Sequence, residues 1–219
     1  MANAIDPLAG VLRNQRYRDY QRQRQYGTGD ILLDNRIIFF GFMGSTYGGS
    51  DINDLTASMV IQQMLYLQYE NRNQEIHFYI NSPGGSVTST LAIYDTMQFL
   101  ECPIATYCMG MAASGAAILL AAGTKGKRYA LPHAKVMIHQ PWSQGIGGQA
   151  SDVEIEMKEI LKEKTRLNQI LERHTGRSLG QIEAETERNR YFTAQEAKEF
   201  GLVDEVLAKM APEKKSEAR

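Results

Sequence analysis

The chain has 219 residues, 43% of them hydrophobic, enough for one sizeable core and for one or two domains. Its 24 Lys and Arg against 25 Asp and Glu leave a net charge of -1, which gives no reason to expect nucleic acid or an anionic membrane as the main partner. No apolar run is long enough to span a bilayer, the N-terminus lacks the hydrophobic core of a signal peptide, Asp6 and Asp19 fit a transit peptide poorly, and Cys102 and Cys108, flanking one strand, offer no disulfide framework, so a reducing cytoplasm is the expected compartment.

Residues 1–29 carry Arg13, Arg16, Arg18, Arg22 and Arg24 among Gln and Tyr, the composition of a flexible solvated arm. Arg36 to Gly41 reads as a buried strand, and Phe42 to Ser50, rich in Gly, Ser and Thr, as a loop. Asp54 or a neighbour can cap a helix running to about Tyr69, with Val60, Met64 and Leu67 on one face. Glu75 to Asn81 alternates as a strand does, with Ile76, Phe78 and Ile80 on one side and His77 and Tyr79 on the other. Pro83-Gly84-Gly85 turns the chain, and a second helix is predicted from about Ser86 to Leu100. The same order recurs in a short strand, Ile104 to Tyr107, and a small-residue helix ending near Ala122. It recurs loosely from Arg36 to Tyr69. Repeated strand-then-helix units imply right-handed crossovers and an α/β fold. After the glycine-rich segment Trp142 to Gln149, a long helix is predicted from about Ala150 to His174, stopped by Gly176. Ile160, Leu161, Leu167, Ile170 and Leu171 form its apolar stripe, as core packing would require. Ser178 with Gln181, and Thr193 with Glu196, have capping-box spacing ahead of two short helices. The tail, residues 210–219, is expected to be disordered, which leaves residues 30–209 as the folded domain.

Two residues carry the candidate chemistry. Ser114 stands at a strand-to-helix corner between small residues, so its hydroxyl points outward beside helix N-terminal amides that lack intrahelical partners and can hold a developing negative charge. His139 closes the apolar run from Val136 to Ile138, and a serine with an imidazole is the minimal pair for acyl transfer. Each has an ordinary alternative. A lone serine at a helix start is more often an N-cap, and a lone histidine at a strand end is more often a satisfied packing residue.

The stretches Gly110-Met111-Ala112-Ala113-Ser114 and Met137-Ile138-His139-Gln140-Pro141 resemble the two active-site signatures of the ClpP family, the proteolytic subunits of the Clp protease. Tyr79 to Ser86, Ala122 to Tyr129 and Glu196 to Asp204 resemble its other recurrent stretches, and the likeness runs from about Asp30 to Leu207. The resemblance implies a crotonase-like spiral of ββα units. The helix after Gln149 would be a protruding handle that packs one ring on another. It also implies a serine endopeptidase with Ser114 as nucleophile and His139 as general base, and with Gly85 and Gly115 N–H groups as the oxyanion hole. The particle would be two stacked heptamers, homomeric or mixed. It would be fed unfolded chains by an AAA+ unfoldase such as ClpX, ClpA or ClpC, which consumes the ATP; the peptidase itself needs no cofactor and no metal. The arm before residue 30 would line the axial entrance.

Two positions depart from the family pattern. Asn189 stands where the family places the aspartate that orients the histidine, and Gly115 stands where methionine is common. An amide oxygen can still accept from His139 Nδ1–H, with the Asn189 nitrogen held by a neighbouring acceptor; Glu185 and Glu187 are alternative partners. Two competing readings follow. One is a weakly active or inactive structural paralogue in mixed rings, which Asn189 and the long loop after Gly41 support. The other is an acyl-CoA enzyme sharing the double-glycine turn, against which the serine–histidine pair argues.

Overall fold

In the computed structural model, which describes residues 27–41, 50–143, 145 and 147–209, the chain divides between Asn35 and Arg36 into two units. Of the first unit the described part is helix α1 (Thr28–Asp34), whose first turn is closed by Gly27 N–H donating to the Asp30 carboxylate at 3.0 Å. The expectations for residues 1–26, for the loop 42–49 and for the tail from 210 lie outside the described residues.

The second unit is built on a sheet. Its described strands are β1 (Ile37–Gly41), β2 (Ile76–Ser82), β3 (Ile104–Ala113), β4 (Arg128–Ala130), β5 (Lys135–Ile138), β6 (Arg190–Thr193) and β7 (Glu205–Val206). They pair in the order β1-β2-β3-β4-β7, all parallel. β5 adds to β3 in parallel and pairs antiparallel with β6. Burial alternates along β2, as its sequence requires: Ile76, Phe78 and Ile80 are fully buried, and His77 and Tyr79 are half-buried on the other face. There the rings of Tyr79 and Tyr107 stack with centroids 4.4 Å apart, and Tyr129 stacks on Tyr107 at 5.0 Å. β1, read from sequence as buried, stands at the edge of the sheet among the described residues, with only Ile38 and Phe40 of the strand buried.

Helices α2 (Asp54–Glu70) and α3 (Val87–Phe99) follow β1 and β2, and α4 (Gly115–Ala121) follows β3. Asn53, rather than Asp54, caps α2: its side chain accepts from Thr56 N, and the Thr56 hydroxyl accepts in return from Asn53 N–H. The capping boxes expected at Ser178 and Thr193 open α6 (Leu179–Thr186) and α7 (Ala194–Phe200). Helix α5 (Ala150–Thr175) ends at Gly176 in the left-handed conformation. Core packing along it is confined to its last turns, where Asn168, Ile170 and Leu171 are buried; Ile155, Met157 and Leu161 nearer its start are exposed. This is the α/β, crotonase-like architecture that the resemblance implies.

β3 differs most from expectation. It continues past Tyr107 to Ala113, so Cys108 lies inside the strand and is buried. Gly110, Ala112 and Ala113 have weak strand preference. Their partners come from elsewhere in the chain: Thr106–Cys108 pair with β4, and Met111–Ala113 pair with β5 on the same edge. That second pairing brings the end of β3 beside the end of β5.

Candidate active site

The register of two strand pairs positions the site. Ala113 pairs with Met137, and Ser114, one residue on, donates its backbone N–H to the Met137 carbonyl at 2.8 Å. Across β5, Ile138 pairs antiparallel with Arg190, so the next step outward sets His139 against Asn189. Three residues far apart in sequence thus meet at one sheet end.

Ser114 has φ 57° and ψ -125°; with Arg36 it is one of two described non-glycine residues at positive φ. Such a conformation costs about 1–3 kcal/mol and persists only where surrounding structure enforces it. As the residue before α4, Ser114 accepts at its carbonyl from Ala117 N–H at 3.0 Å, but its hydroxyl caps nothing. Ser86, Ser178 and Thr193 do cap their helices. The Ser114 hydroxyl instead lies 2.8 Å from His139 Nε2, and His139 Nδ1 lies 3.0 Å from Asn189 Oδ1. A carbonyl oxygen only accepts, so Nδ1 carries the hydrogen and Nε2 is free to accept from Ser114 O–H.

Asn189, rather than either glutamate, faces His139. Glu187 has its carboxylate 3.4 Å from Lys164 Nζ, and Glu185 pairs with Arg190 at 3.3 Å. The Asn189 nitrogen, expected to be held by a neighbour, has no protein acceptor among the described residues; Asn189 is exposed, so those hydrogens face solvent. The segment is tied down by Gln140, which sequence reasoning did not single out. Its backbone N–H donates to Thr186 O at 2.7 Å and its side chain to Glu187 O at 3.0 Å.

The double-glycine turn stands beside this row. Ile52 bridges it in parallel, its N–H donating to Gly84 O at 2.8 Å and its carbonyl accepting from Ser86 N–H at 2.8 Å. Bonds to the flanking residues turn the Gly85 N–H away from Ile52. A Cβ on Gly84 would come within 2.7 Å of Ser114 Cβ, so only glycine permits this approach. Gly115, first residue of α4, has an N–H with no intrahelical acceptor. A Cβ there would collide with Thr90 Oγ1; Thr90 therefore occupies the volume a larger residue at 115 would need, a long-range contact with no local sequence signal. Ser114, Gly115, Gly85 and His139 open on a narrow pocket walled by Val87, Ile118, Ile138, Pro141, Leu167 and Leu171. The pKa of the Cys108 thiol, in the middle of β3, is pushed up to about 12 by burial, which makes it an inert packing group. Among the described residues no group of three or more His, Cys, Asp or Glu is placed to hold a metal, and no helix is long and apolar enough to cross a membrane.

Comparison with known proteins bears on this arrangement. A family described as Clp protease matches residues 20–210. The ATP-dependent Clp protease proteolytic subunit 1 of Rhodopirellula baltica is 52% identical over 191 residues, covering 87% of this chain and 80% of that protein. The match takes in the whole sheet and every residue of the row at its end, and the chain belongs to the Clp protease family of serine-type peptidases.

Proposed function

We propose that the chain is the peptide-cleaving subunit of a barrel-shaped Clp protease, with Ser114 as nucleophile, His139 as general base and Asn189 as the group that orients His139. Ser114 Oγ attacks the scissile carbonyl carbon and its proton passes to His139 Nε2. The resulting oxyanion accepts from the Gly85 and Gly115 N–H groups. His139 then protonates the departing amine, and water, deprotonated by His139, releases the acyl group from Ser114. No cofactor takes part. The substrates are unfolded chains handed over by an AAA+ unfoldase that consumes the ATP, and the working particle is two stacked rings of seven.

The observation that carries this reading is the unbroken row Ser114–His139–Asn189, at 2.8 and 3.0 Å, with the serine held in a strained backbone conformation and excused from capping. An active-site phosphonate or β-lactone probe tests it. The expected result is one adduct at Ser114, absent in Ser114→Ala; labelling elsewhere, or none in any assembly state, overturns it. The neutral side chain of Asn189 favours a second reading, a weakened subunit in mixed rings. Labelling that appears only after a second, active subunit is added would select that reading.

A further inference from the structure

Asn189 lies on the short stretch that leads from the end of α6 into β6, and both ends of that stretch are tied to the segment carrying His139. On the β6 side Arg190 pairs with Ile138, the residue before His139. On the α6 side the tie is Gln140, the residue after His139. Its backbone N–H donates to Thr186 O at 2.7 Å, and its side-chain Nε2–H donates to Glu187 O at 3.0 Å. Both acceptors stand at the C-terminus of α6, where the last carbonyls have no intrahelical donor. A carbonyl oxygen only accepts, so the nitrogen end of the Gln140 amide is the end that faces Glu187. Thr186 is buried, and its hydroxyl donates to Ile182 O at 2.8 Å, so the tie closes on a fixed point. Gln140 does not line the pocket that Ser114, Gly115 and His139 open on.

We propose that Gln140 is a positioning residue for the row Ser114–His139–Asn189: its side-chain amide keeps Asn189 Oδ1 within reach of His139 Nδ1. The inference rests on the reading of Ser114 as nucleophile and His139 as general base. The tie matters because Asn189 is neutral. A carboxylate is drawn to the imidazolium by its charge, and a charge-assisted hydrogen bond is about twice as strong as a neutral one. The amide oxygen of Asn189 lacks that pull, and its Nδ2 has no protein acceptor among the described residues to steady it. The 3.0 Å separation from His139 therefore depends on the backbone that presents Asn189. One half of that support is the pairing of β5 with β6, and the other half is Gln140.

The test is a double-mutant cycle. The kcat and KM for a fluorogenic peptide are measured on assembled particles of the parent, Gln140→Met, Asn189→Asp and the double variant. Methionine matches glutamine in length and has no donor. In the parent background Gln140→Met is expected to lower kcat about threefold to tenfold, the size of effect that one hydrogen bond supplies, with KM unchanged. In the Asn189→Asp background the same change is expected to lower kcat by less than about twofold, because charge then holds the acceptor in place. A bond that served the fold alone would not distinguish asparagine from aspartate at 189. Equal falls in the two backgrounds, or an unchanged kcat, overturn the inference. If Gln140→Met does not assemble, Gln140→Glu decides the matter by the same comparison, since its carboxylate has the same length and repels Glu187 O. Failure of both variants to assemble overturns the inference, because Gln140 would then hold the fold and not the row. A parent particle that neither cleaves the peptide nor labels at Ser114 overturns the reading of the site, and this inference with it. A parent that cleaves, with equal losses in both backgrounds, overturns this inference alone.

Discussion

At the scale of single residues, the proposed role of His139 as general base makes Asn189 the group that would set its strength. It offers His139 Nδ1–H an acceptor at 3.0 Å but no full negative charge, and it serves only with its amide oxygen turned to the imidazole, its amide hydrogens having no protein acceptor among the described residues. A carboxylate has two equivalent acceptors, needs no such orientation, and stabilises the imidazolium. Asn189→Asp should therefore keep or raise kcat, whereas Asn189→Ala should lower it by about 10²-fold, the scale of acid–base assistance; peptidase assays on the assembled particle check both. Loss of activity in Glu187→Gln with none in Asn189→Ala would move the orienting role to Glu187. A second substitution concerns the corner. Gly115→Met places a side chain against Thr90, which is buried and donates to Ser86 O at 2.8 Å. Such overpacking costs about 1–3 kcal/mol. The pair Gly115→Met with Thr90→Ala should be more stable than Gly115→Met alone, a non-additivity that thermal melting measures directly. Ser114 and His139 were legible from their local motifs. Thr90 and Gln140 were not, because each acts through a contact with residues distant in sequence.

At the scale of elements, the sequence carries what three or four neighbouring residues can encode. The boxes at Ser178 and Thr193 and the glycine stop at Gly176 are local chemistry, and they stand where the pattern puts them. The length of β3 is not local, since Met111–Ala113 become strand by pairing with β5. Arg36, first read as the start of a strand, is a buried cation with φ 59°. Its guanidinium donates to the carbonyls of Leu67, Asn71, Gln74 and Glu75 at 2.9–3.1 Å, closing the C-terminus of α2. A comparable joint, at the end of α5, gives a pH dependence. His174 Nε2 lies 3.1 Å from the Tyr94 hydroxyl of α3, and burial, then the charges of Arg128 and Arg173, lower its pKa to about 4. An unfolded histidine titrates near 6.5. The unfolded chain therefore binds more protons than the folded one in that interval, and the stability present above about pH 6.5 is lost as pH falls toward 4. Asp204 acts lower. Burial alone would raise its pKa, but the hydrogen bonds and charge of Arg128 hold it below the usual carboxylate range, so its contribution fades only on further acidification. Melting curves of the parent and of His174→Gln should converge as pH falls from 6.5 to 4; a constant gap between them would exclude His174 as the source.

At the scale of the whole molecule, the first turns of α5 are unexplained by a single chain. Met157 and Leu161 are exposed at 46% and 57%, one turn apart on the same side of the helix. The surrounding positions are charged, with Glu154 paired to Lys158 at 2.6 Å and Glu159 paired to Lys162. Exposed ion pairs of this kind contribute only about 0.3–0.5 kcal/mol each. They keep the helix soluble without accounting for an apolar stripe between them. Burial of that stripe against a second ring would account for it, and would make the ring-to-ring contact depend on few residues. The double change Met157→Glu with Leu161→Glu lies far from the buried turns around Ile170 and Leu171, so each chain should fold as before. Light scattering should then show a particle of half the parent's mass, and circular dichroism an unchanged helix content. Ser114 labelling should fall with the mass if the row at the end of β3 and β5 is held in register by the second ring. A variant that keeps the parent's mass would remove α5 from the ring contact. A stable, fully active monomer would remove the ring assembly itself.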